Sequence, residues 1–184
     1  MKKATVATQH AANSAETSAG IARDATVSAI NQSQLDQRAW VGIIGTSPPK
    51  FKEGERFLYA VPGRWINLAV VVTNSGKSPA KILQSDIAIN HYPVSGKFTP
   101  QFKGRSMHSI AVIQPSMQNT MNSLPVSFND TTWKGVLADT ERLYFYGRIR
   151  YEDIFRHQHT TTFCMFLQPT LDSFAGCDTY SDAD

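Results

Sequence analysis

At 184 residues the chain is long enough for one domain with a proper core plus an appendage, and short for two full domains. A hydrophobic share of 41% and a charged share of 18% are those of an ordinary globular protein. The formal net charge of +3 is small and the Lys and Arg residues are scattered, which argues against a phosphate-tracking surface and so against nucleic acid as a partner.

Met1-Lys2-Lys3 resembles the start of a secretory signal, but the residues after it lack an apolar core, so no signal peptide is expected. No stretch approaches the ~20 apolar residues needed to span a bilayer. Residues 4–37 are rich in Ala, Ser, Thr and Gln, without Pro or Phe, Tyr and Trp. A heptad threads through Ala4, Ala7, Ala11, Ser14, Ser18, Ile21, Ala25, Ser28, Gln32 and Leu35, predicting a long helix with a narrow seam of small residues. Such a seam buries little area, so a helical stalk or tether is the first reading and a coiled coil the second.

Ala39 to Gly45 opens the β-domain, and Thr46-Ser47-Pro48-Pro49 breaks that strand. Lys50 to Gly63 reads as loop with a short strand at Arg56 to Val61. Arg64 to Asn74 is a strong strand with Ile66, Leu68, Val70 and Val72 on one face. Asn74 to Pro79 is a turn; its Gly-Lys pair lacks the spacing and the following helix of a phosphate loop. Ala80 to Tyr92 is the next strand, with Leu83, Ser85, Ile87 and Ile89 inward and Ile82 out of phase at a bulge. Two shorter strands follow at Met107 to Ile113 and Leu124 to Phe128, Pro125 marking the latter as an edge. Asp130 is read as the N-cap of a helical turn that turns Trp133 and Leu137 to the core.

The strongest signal is the hairpin between Glu141 and Gln168. Leu143, Phe145, Gly147, Ile149 and Tyr151 alternate with Tyr144, Tyr146, Arg148 and Arg150, and after a polar turn Thr161, Phe163, Met165 and Leu167 resume the alternation. Centring the turn near Asp153 to Phe155 sets Tyr144 opposite Phe166, Tyr146 opposite Cys164 and Arg148 opposite Thr162. About seven short strands without long helices between them predict a mainly β fold: an antiparallel, two-sheet, immunoglobulin-like β-sandwich preceded by a long N-terminal helix. The expected division is a stalk over 1–37, a sandwich over 38–168 and a tail over 169–184 that packs on the sandwich and ends acidic.

The phrases RAWVGI after the stalk, NSGKSPA after the second strand, YGRIRYEDIF leading to HTTTFC, and the closing CDTYSDAD resemble those of a broad group of uncharacterised bacterial proteins. In that group a membrane helix and an Ala-rich segment precede a β-sandwich. The resemblance covers roughly residues 15–184 and implies an envelope-associated protein; it brings no catalytic residues. This chain departs from the pattern in lacking the membrane helix. The resemblance therefore places it in the envelope, and the absent apolar segment in the cytoplasm.

The face carrying Tyr144, Tyr146, Arg148 and Arg150 is the candidate binding face, through stacking and cation–π contacts. It is half aromatic and needs cover, which the tail Pro169 to Cys177 could supply with Leu171 and Phe174. That would bring Cys177 near Cys164: a disulfide worth ~3 kcal/mol in an oxidising compartment, two thiols otherwise. Nothing places a base beside Cys164, which argues against a nucleophile. His157 and His159 are the weak metal candidates; a His-x-His pair without a Cys-x-x-Cys is more often surface. Asp178, Asp182 and Asp184 lack the pattern of a calcium loop, and Glu152 and Asp153, being adjacent, point apart. No catalytic residue and no cofactor is assigned.

These readings favour a non-enzymatic interaction or structural module, a sandwich displayed on a helical stalk in an envelope or oligomeric assembly. Its partner would be another protein, or a second copy met through the helix. Two alternatives stand beside it: a metal-dependent binder or enzyme using His157 and His159, and a filament or ring subunit assembling through the helix.

Overall fold

The computed structural model describes residues 2–47, 63, 65–102, 111–168 and 173–184. The chain divides into two units, Met1–Arg38 and Ala39–Asp184. The first is a single helix, α1 (Lys2–Gln37). Its hydroxyls satisfy themselves locally: Thr17 and Thr26 donate to the carbonyls of Asn13 and Ala22, one turn back. Its larger apolar side chains, Ile21, Val27, Ile30 and Leu35, are exposed. Ile21 and Leu35 lie on the threaded seam, but Val27 and Ile30 do not, so no continuous apolar stripe forms. Among the described residues no helix is long and apolar enough to cross a membrane.

The second unit is mainly β: two antiparallel sheets packed as a sandwich. One sheet orders β1 (Val41–Ser47), β2 (Ala69–Asn74) and β5 (Gln118–Asn122) as β1-β2-β5. The other runs β4-β3-β6-β7-β8, with β3 (Ala80–Pro93), β4 (Val112–Ile113), β6 (Glu141–Glu152), β7 (Gln158–Leu167) and β8 (Phe174–Gly176). A further short strand, β9 (Asp182–Ala183), also pairs with β7. The core lies between the sheets. Ile66, Leu68, Val70 and Val72 from one side meet Ile87, Ile89, Phe145, Ile149 and Phe163 from the other. Met165 packs against this core while remaining partly exposed.

The hairpin has the register read from the sequence, with Tyr144 opposite Phe166, Tyr146 opposite Cys164 and Arg148 opposite Thr162. Its turn is built on Asp153, whose Oδ1 accepts the N–H groups of Phe155 (2.8 Å) and His157 (3.0 Å). Gly147 leaves room for the ring opposite it: a Cβ there would lie 2.5 Å from Phe163 Cε1 and 2.7 Å from the Asp86 carbonyl oxygen.

Other elements differ from the expectation. The bulge in β3 does fall between Ile82 and Gln84. However, Ile82 is the core residue and Leu83 the half-buried extra one, the reverse of the alternation proposed. Adjacent apolar residues at a bulge can exchange roles without altering the pattern on either side. Among the described residues, 124–128 form no strand, only the isolated Ile66–Val126 bridge and a bond from the Gly63 N–H to the Phe128 carbonyl. The strand is β5, just before them, polar and half exposed at the sheet edge and therefore without an apolar alternation. The α2 helix (Asp130–Leu137) is capped by Asn129, whose Oδ1 accepts the Thr132 N–H at 2.9 Å. That frame turns Trp133 and Val136 inward and leaves Leu137 exposed. The expected strands at 56–61 and over most of 107–113 lie outside the described residues.

Asn74 pins the turn after β2. It is fully buried, and it uses both ends of its amide. Nδ2 donates to the carbonyls of Ser78 (2.7 Å) and Ile113 (2.9 Å), and Oδ1 accepts from the N–H groups of Trp40 (3.1 Å) and Gly76 (3.0 Å). One side chain thus ties together the start of β1, the turn and β4.

Candidate functional site

The face proposed from the sequence, the outer face of the six-stranded sheet, is largely roofed. Tyr146 is fully buried, and its hydroxyl donates to the Gln101 carbonyl (2.8 Å) while accepting the Gln101 N–H (3.2 Å). Tyr144 stacks on Phe98 with centroids 4.6 Å apart. Phe98 and Phe102 also meet Tyr146 edge-on, and Tyr180 approaches both from the tail. Burial pushes the Tyr180 and Tyr92 hydroxyls above their ordinary pKa, and the Tyr92 hydroxyl donates to the Thr99 carbonyl at 2.8 Å. The cover thus comes from residues 94–102 and Tyr180. Phe174 instead packs against the core near Phe145, and Leu171 lies outside the described residues.

The two arginines of that face are bound internally. Arg148 Nε donates to Asp86 Oδ2 at 2.8 Å, and its guanidinium lies 5.0 Å from the Phe102 ring centre. Arg150 donates to Gln84 Oε1 (3.2 Å) and Gln158 Oε1 (3.1 Å). Asp86, nearly buried, accepts from both Arg148 and Gln84. This polar ladder holds β3, β6 and β7 together, so the aromatic and arginine side chains expected to meet a ligand mostly meet each other.

The structure joins Cys164 and Cys177 in a disulfide, their Cα atoms 5.3 Å apart. It fixes the tail to β7 beside the Cys177 N–H to Cys164 carbonyl bond. His157 and His159 both reach Asp153 Oδ2, at 4.0 and 3.0 Å. His159 is buried against Tyr151, and His157 is largely exposed. Among the described residues no group of three or more His, Cys, Asp or Glu is arranged to hold a metal ion. Burial raises the Asp153 pKa, but the hydrogen bond from His159 and the N–H groups of His157 and Phe155 outweigh it and hold the carboxyl below the ordinary range.

An open groove lies on the flank of the sandwich where the edges of the two sheets face each other. Its volume is about 450 Å³. Ile87, Ala88, Ile89 and Asn90 of β3 line one wall, Leu124, Pro125 and Val126 the other, and Trp65, Gln101, Phe102 and Tyr146 also border it. Trp65 is 70% exposed, an indole left in water beside its buried neighbour Ile66. Among the described residues the β3 wall is a sheet edge beyond Ile82, whose N–H donates to the Ala111 carbonyl at 2.8 Å. The Val94 N–H donates to the Thr140 carbonyl, continuing the ladder to β6. Backbone groups of an antiparallel strand alternate sides, so the even residues 84–92 bond β6 and the odd residues face away from it. The His91 N–H is met by Asn90 Oδ1. Among the described residues β4 pairs with β3 only at Ala80 and Lys81, and no partner meets the outward groups of Ser85, Ile87 and Ile89.

Sequence reading did not find this groove. The exposed Trp65 opposite the core face was the one local signal; that residues 124–126 and 101–102 gather beside it depends on long-range packing. No family model matches the chain, and no curated protein matches it.

Proposed function

We propose that the chain is a non-enzymatic interaction module, an immunoglobulin-like sandwich joined to a helical stalk, which takes an extended segment of a protein partner along the open edge of β3. The observation that carries this reading is the groove: backbone groups of Ser85, Ile87 and Ile89 that no partner meets among the described residues, beside an exposed Trp65. A strand added to such an edge gains main-chain hydrogen bonds, and an exposed indole gives it an aromatic anchor. The immunoglobulin-like assignment is supported by the strand order. β1-β2-β5 faces β4-β3-β6-β7, the chain crosses between sheets from β2 to β3, from β4 to β5 and from β5 to β6, and a helical turn precedes β6. The disulfide and the resemblance to envelope proteins together favour an oxidising compartment.

The test is a selection from a library of extended peptides on the full chain, followed by affinity measurement with Trp65→Ala. Binders that lose at least tenfold in affinity, with the variant melting within about 2 °C of the parent, support the reading. Binders indifferent to Trp65, or none at all, would remove it.

A further inference from the structure

We propose that His159 is a pH-sensitive latch that fastens the last strand to the sheet when it is protonated. The ring lies on β7 with only 10% of its side chain exposed, between two carboxylates. Nε2 is 3.0 Å from Asp153 Oδ2 in the hairpin turn, and Nδ1 is 3.9 Å from Asp184 Oδ1 on the tail. Tyr151 of β6 lies tilted against the ring at 5.3 Å, and Nδ1 of exposed His157 is 4.0 Å from the same Asp153 oxygen. Asp184 completes the docking of β9: its Oδ1 accepts the Thr160 N–H at 2.7 Å and its own N–H donates to the Thr160 carbonyl at 3.3 Å.

A neutral imidazole has one N–H. Asp153 is buried, ionised and committed to the turn, so it takes that N–H at Nε2. Nδ1 then presents a lone pair toward the Asp184 carboxylate, which is unfavourable. Protonation turns Nδ1 into a donor and puts a positive charge between the two acids, so the tail is held at low pH and loosened as the proton leaves. The Cys164–Cys177 disulfide confines the movement to the residues after it, and release of β9 bares the edge of β7 at Thr160 to Thr162.

The experiment is amide hydrogen exchange of Thr160 and Asp184 on the full chain by NMR, corrected for intrinsic rates, across the range of about pH 5 to 8 in which histidine changes charge. The His159 ring signal is followed in the same samples. The local opening constant should rise about two- to fivefold with pH, the scale of a partly exposed ion pair, with its midpoint on the His159 titration. His159→Gln should abolish the step. Asp184→Asn, at an exposed position that keeps an amide oxygen for Thr160, should shrink it without touching the core. A pH-independent opening constant, or a step of undiminished size in Asp184→Asn, would overturn the latch.

Discussion

Asn74→Ala measures how much one buried amide contributes to this sandwich. The substitution removes four hydrogen bonds at once. The carbonyls of Ser78 and Ile113 are met in the interior, where an unsatisfied group costs about 1–3 kcal/mol. The N–H groups of Trp40 and Gly76 are only part-buried, so water recovers much of their loss and each costs about 0.5 kcal/mol. With about 2 kcal/mol for each carbonyl the total is about 5 kcal/mol, a large share of the roughly 5–15 kcal/mol that holds a domain folded. At about 2–4 °C per kcal/mol for a domain of this size, the melting temperature should fall by about 10–20 °C. Urea unfolding followed by tryptophan fluorescence gives the free energy directly. Asn119→Ala serves as the control, since among the described residues its side chain accepts only the neighbouring Thr120 N–H at an exposed site. A cost below about 1 kcal/mol, or one equal to the control, would refute the role given to Asn74.

Gly147→Ala should destabilise by about 1–3 kcal/mol, because the added carbon meets the backbone oxygen of Asp86, which cannot swing aside as a side chain could; a neutral result in urea unfolding would contradict the packing described. Asp153→Asn keeps an acceptor for the turn but gives up the charged bond to His159, and should cost about 1–2 kcal/mol at neutral pH. Because the folded Asp153 pKa lies below its unfolded value, its contribution is complete above the ordinary carboxylate range and is lost as pH falls through the lowered value. The difference between parent and variant should therefore shrink under acid; a constant difference down to about pH 2 would oppose the assignment.

The hairpin was legible because its strands alternate over many residues and its turn is polar, so a shift of one residue would expose Phe145 and Ile149 together. The bulge was legible in position only, since Ile82 and Leu83 are equally apolar. The β5 strand was hidden by its polarity: an edge strand with one half-buried methionine carries no periodic signal. Leu137 was misplaced because a cap one residue earlier, at Asn129, rotates the helix face. The cover over Tyr144 and Tyr146 was sought in the adjacent tail, whereas Phe98 and Phe102 arrive from a loop whose folding back is a tertiary event. Asn74 read as a turn former; that its amide also reaches Trp40 and Ile113 could not be seen until β1 and β4 were beside it.

Among the described residues β3 leaves Ser85, Ile87 and Ile89 unpaired, the edge we propose a partner strand takes, and residue-resolved amide exchange reads its occupancy at each position. In the free protein Ser85, Ile87 and Ile89 should exchange quickly while Asp86 and Ala88, bonded to β6, are protected. A peptide bound in the groove should slow the first set and leave the second unchanged. Odd-numbered amides already protected in the free chain, or unaffected by a peptide that binds, would contradict it.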